Sequence, residues 1–249
     1  MSSIAENPLS QFVGTERERY ADEDNNRFAF SLSQASRYYR FLLIIAERHN
    51  AASRELIEIT KQVNDFTRNS TGSRLTDEQQ EILTKSLLLS TKVQLEIESF
   101  YLFAKIFLDK IAHFFHDYFG QANGISLRSH DQLTKNHERL RAAKTLVYPE
   151  GFSEMLEFLA RQICDYRDKQ IQHLQNPRAT KGIAWGEKGL TRIAGGYLYP
   201  NVRDQPLQSG TLTEMIAKID VYTEQVMALI TTNREKTRFK LKAQSANQN

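Results

Sequence analysis

Over most of the chain the apolar positions recur with the period of an α-helix. From Arg27 to about Asn69, Phe30, Leu32, Ala35, Tyr38, Tyr39, Leu42, Ile45, Ala46, Leu56, Ile59 and Val63 recur at spacings of three, four and seven, the period of an amphipathic helix. The turn formers Asn69, Ser70, Thr71, Gly72 and Ser73 end it. Thr76 then offers a hydroxyl N-cap with Gln79 three residues on and acids in the first turn, which predicts a second helix running without Gly or Pro to Phe119. Its second half, Phe100 to Phe115, is apolar on nearly all sides, as in a central helix touched by several others or by another subunit.

A third, more polar helix is predicted from about Ser129 to Leu146, with Leu133, Leu140 and Ala143 as its apolar line and Pro149 and Gly151 closing it. A fourth, from about Phe152 to Leu174, turns Met155, Leu156, Leu159, Ile163 and Tyr166 inward and becomes polar before Asn176-Pro177 stops it. A last helix starts at Thr211 or Thr213 with Glu214 close behind. Residues 176–210 hold the glycine-rich region, which reads as a loop or a small β-hairpin laid over the bundle. The expected organisation is a charged, flexible arm at 1–26, a long helix packed on the bundle at 27–75, a helical bundle at 76–235 and a basic, polar tail at 236–249. The class is all-α, with four to five main helices beyond the first long one.

Composition supports that class. The 249 residues include only five prolines and eleven glycines, too few for many short strands, and 40% apolar residues can fill a core. With 33 basic against 30 acidic residues the net charge is +3, so any grip on nucleic acid has to be local. The single cysteine, Cys164, reads as a buried thiol in a reducing compartment. No run of membrane-spanning length lacks charges, and the N-terminus shows no signal-peptide pattern, so the expectation is a cytoplasmic protein without a membrane partner.

Most motifs with chemical potential reduce to structure. His113 and His116 form an H-x-x-H, but among solid phenylalanine flanks they read as the polar edge of a buried helix, and neither metal nor cofactor is expected. The glycines of residues 182–196 match no phosphate-loop pattern, and the basic strip Arg234 to Lys242 reads as a solvated chain end. No nucleophile elbow is present.

Arg167 and His173 differ, because their chemistry and setting agree. An arginine holds a phosphate bidentately at any working pH, and a histidine titrating near neutrality can move the proton of a ribose 2′-hydroxyl. The pair therefore suffices for metal-independent RNA cleavage. Six positions apart on an ideal helix they point about 120° from each other, so a facing copy across a symmetric dimer would help to assemble one cleft. The plainer reading has Arg167 paired with an acid such as Asp168 or Glu157, and His173 on the last turn, favoured by the helix dipole.

Arg167, followed directly by the polar Asp168 and separated by five residues from His173 near a helix end, resembles the motif of the HEPN superfamily, an Arg followed by Asn, Asp or His, with four to six residues between the Arg and a His. The apolar helix carrying Leu108-Asp109-Lys110 is similar to the long helix preceding the motif in abortive-infection and toxin members. The resemblance covers residues 76–235. It implies a helical bundle that dimerises through the motif helices, with ribonuclease activity in many members and RNA or nucleotide binding alone in others. Arg167 and His173 would be catalytic and Asp168 would orient them, while Lys169 lies in reach of a phosphate. RNA, a second copy, and an antitoxin or nucleotidyltransferase would be the partners. The alternative is a non-catalytic helical module that binds RNA or protein, with Phe103, Phe107 and Trp185 as its contact residues.

Overall fold

The computed structural model describes residues 7–69, 75–122, 124–168, 183–186, 189–193, 201–202, 205–206 and 211–242. Among the described residues six α-helices dominate: α1 (Pro8–Glu16), α2 (Asp22–Asn69), α3 (Asp77–Phe119), α4 (His130–Lys144), α5 (Phe152–Leu159) and α6 (Leu212–Thr232). Two small antiparallel pairs lie between α5 and α6, β1 (Ile183–Gly186) with β2 (Gly189–Ile193) and β3 (Asn201–Val202) with β4 (Gln205–Pro206). The class is all-α, and no helix among the described residues is long and apolar enough to cross a membrane.

The chain divides into two compact units, one of Met1–Phe41, Phe103–Asp165 and Lys218–Asn249, the other of Leu42–Leu102 and Tyr166–Ala217. In the first, the apolar second half of α3 is the core, with Phe107, Leu108, Ile111, Phe114 and Tyr118 fully buried. An aromatic cluster joins it to the chain ends: the Phe28 ring lies edge-on to Phe114, and Tyr20 and Phe239 pack on Tyr118.

From Asn7 onward the N-terminal segment is docked, where its charge suggests a flexible arm; residues 1–6 lie outside the described residues. Asn7 caps α1 by accepting from the Leu9 and Ser10 amides and ties it to α2 by donating to Ser36. Leu9 and Tyr20 are fully buried. Glu16, itself buried, accepts a two-pronged contact from Arg234, Nε to Oε1 at 2.6 Å and Nη2 to Oε2 at 2.7 Å. The charges read as solvated are paired across the chain, which is why α2 can begin at Asp22 instead of Arg27. The basic tail is docked as far as Lys242, where the described residues end: Ala21 donates to the Lys240 carbonyl, the Lys242 amide to that of Arg19, and Phe239 is buried.

Helix α4 starts at the predicted place, with Ser129 Oγ accepting from the Gln132 amide. It ends at Lys144, within two residues of the predicted Leu146, with Thr145 in the left-handed region at φ 51°. Gly151 serves instead as the N-cap position of α5, at φ 71°.

The second unit is built on α2 from Leu42 onward and α3 up to Leu102, running antiparallel. Arg48 meets Glu96 at 2.6 Å and Lys85 meets Glu55 at 3.1 Å. Leu42, Ile45, Leu56 and Ile59 are buried on α2, and Leu89, Val93 and Ile97 on α3. Two capping boxes fix its helix starts. Thr76 and Gln79 exchange side-chain to backbone hydrogen bonds at 3.0 and 3.3 Å, as predicted. Thr211 and Glu214 do the same, which places the start of α6 on the first of the two threonines considered.

Candidate active site

The segment leading to Arg167 starts as a regular amphipathic helix, α5, whose Phe152, Leu156 and Leu159 are buried. From Ala160 to Asp165 the winding loosens to a π-helix that buries Gln162, Ile163 and Cys164. Each hydrogen bond then spans five residues instead of four, so an extra residue enters each turn and the inward stripe shifts along the sequence. Cys164 lies in the first unit with its Sγ 3.9 Å from His130 Nδ1, and burial pushes the imidazole down to about 3. It is buried, as the sequence suggested, and forms no disulfide.

In the second unit Tyr166 turns inward and is 2% exposed, its ring 4.4 Å from that of Tyr101. Burial, with the Glu98 carboxylate nearby, pushes the Tyr166 phenol up to about 12, so it stays protonated and neutral. This tyrosine pair anchors the chain immediately before the motif. Arg167 and Asp168 follow with partly exposed side chains, and Arg167 Nη1 donates to Asp168 Oδ1 at 2.7 Å. Of the two acids considered as partners, Asp168 engages the guanidinium in this contact. A carboxylate there orients the guanidinium through one charge-assisted hydrogen bond in a part-buried setting.

Lys169 and His173 lie outside the described residues. The structure thus brings together Arg167 and Asp168 and describes no distance from either to His173. Tyr101, Tyr166 and Glu98 are the neighbours that the sequence did not reveal. Tyr166 read only as one more core position, and nothing in a linear pattern brings residue 101 of α3 against residue 166.

The other candidates fall into structural roles. His113 is exposed, and His116 Nδ1 lies 3.5 Å from its neighbour Asp117. Among the described residues no group of three or more His, Cys, Asp or Glu is placed to hold a metal ion. Phe107 is fully buried and Phe103 half-buried against Tyr38 and Phe41, so both serve the core of the first unit. The side chain of Trp185 lies outside the described ones. Comparison with protein-family models, with curated proteins and with solved structures finds no match to this chain.

Proposed function

We propose that the chain is a metal-independent RNA endonuclease of HEPN type, acting in phage defence or as the toxin of a toxin-antitoxin pair. The observation that carries this reading is the spacing of Arg167 and His173, with five residues between them, on a partly exposed stretch that follows a π-helical segment and the buried Tyr166. π-Helical turns recur at functional sites because they aim side chains that a regular helix would leave elsewhere.

In the proposed reaction the ribose 2′-oxygen attacks the adjacent phosphorus and the bond to the 5′-oxygen breaks. The products are a 2′,3′-cyclic phosphate and a free 5′-hydroxyl. His173 accepts the 2′-hydroxyl proton or donates one to the leaving oxygen. Arg167 holds the non-bridging oxygens as negative charge builds, with Asp168 orienting its guanidinium. Lys169 adds a second cation near the phosphate. Two copies of the motif facing across a dimer axis would offset the divergence of Arg and His along one helix.

Incubation of the purified chain with mixed RNA in excess chelator tests the reaction. The reading expects fragments ending in 2′,3′-cyclic phosphate. Intact RNA under these conditions, or fragments with a 3′-hydroxyl, would contradict it. The second reading, a binding module without catalysis, predicts RNA or protein capture with no cleavage.

A further inference from the structure

Helix α3 carries two apolar faces inside the second unit, and only one of them is used there. Leu89, Val93 and Ile97 are buried against the rest of that unit. On the other side Leu88, Leu95 and Leu102 are 67%, 56% and 38% exposed, with Leu87 beside them at 71%. Seven residues on a helix advance about 10.5 Å and return to within about 20° of the same direction, so the three leucines form one straight stripe. An isolated exposed leucine needs no explanation, but a heptad row of them on a helix already buried on its other face does.

The geometry points to a second copy of this chain as the occupant of the stripe, its α3 lying antiparallel across a two-fold axis at Leu95. The pattern reads nearly the same in both directions from that residue. Leucines stand seven positions away on either side (Leu88, Leu102), small hydroxyl residues four away (Thr91, Ser99), and opposite charges three away (Lys92, Glu98). A two-fold contact of this kind brings each residue to the level of its mirror position. Leu88 is then level with Leu102 of the partner subunit, and Lys92 with Glu98 of the partner subunit. A symmetric pattern is what an isologous interface requires and what an unrelated ligand helix would not. The like-charged positions farther out, Lys85 and Lys105, are each neutralised within their own chain, by Glu55 at 3.1 Å and Asp109 at 2.6 Å. The inference stands apart from the nuclease reading, since a dimer through this face requires no RNA chemistry and a dimer through another face would leave that chemistry possible.

Sedimentation velocity of the full chain gives the first readout. Wild type is expected at twice the 28.8 kDa chain mass. Leu95→Glu is expected as a monomer of unchanged helical content, with the dissociation constant raised about a hundredfold or more. Disulfide trapping in a Cys164→Ser background gives the second. Leu95→Cys should cross-link to itself, Leu88→Cys should not, and Leu88→Cys mixed with Leu102→Cys should. A monomeric wild type, a dimer indifferent to Leu95→Glu, or self-linking of Leu88→Cys as ready as that of Leu95→Cys would overturn the proposal. The second of these outcomes places the dimer on a different face.

Discussion

Arg167 donates to its own sequence neighbour, a geometry that fixes the guanidinium without fully burying it. The pair is part-buried, so the functional test of Arg167→Ala is its activity at a melting temperature matched to that of wild type. Arg234 is the opposite case. Its fork satisfies the buried Glu16 carboxylate, whose side chain is only 4% exposed. Arg234→Ala strands that charge with Arg19 as its remaining cation and should cost about 2–3 kcal/mol in chemical denaturation. An unchanged midpoint would show that the chain ends are not docked as described. His130 gives the pH dependence. Burial first and the Lys105 charge second hold it near 3, below the ordinary histidine value of 6.5. The folded state therefore excludes a proton that the unfolded chain binds between those values. The stability that neutral His130 contributes is complete above about pH 6.5 and is lost as pH falls towards 3. His49, lowered mainly by burial, acts in the same direction. Melting temperatures measured from pH 7 to pH 4 should fall less steeply for His130→Gln, by about one proton's worth of slope. Parallel curves for the two proteins would refute this assignment.

At the scale of elements, what the sequence revealed depended on how local the determining interaction is. The two capping boxes, the Ser129 cap and the all-round apolar half of α3 are each specified within a few neighbouring residues, and all can be read directly. The docking of α1 and of the tail could not, because Glu16 and Arg234 are 218 positions apart and each looks like a surface charge where it stands. The end of α4 near Leu146 was legible to within two residues, but the device that ends it was not, because Thr145 takes the left-handed conformation usually left to Gly or Asn. The motif itself was legible as residue types, Arg167, Asp168 and His173, but its π-helical approach was not, since no periodicity separates an i→i+5 turn from a regular one over six residues. Gly151 offers a test at this scale. At φ 71°, and with any added Cβ 3.3 Å from Gln225 Nε2, Gly151→Ala should destabilise the protein by about 1–2 kcal/mol. A stability equal to wild type would mean that α5 does not start there.

For the whole molecule, an all-α chain carries a sequence motif that begins directly after the buried Tyr166. The proposed cleavage calls for two facing copies of that motif. The exposed leucine stripe of α3 is a separate reason, independent of that chemistry, to expect a pair of chains. The most direct test of the central claim is the single-turnover rate of RNA cleavage in chelator, compared for wild type, Arg167→Ala and His173→Ala at matched melting temperatures. The account predicts that each substitution lowers the rate by about a hundredfold or more while leaving the fold intact. Cleavage by both variants at the wild-type rate, or no cleavage by wild type as a purified dimer, would contradict it.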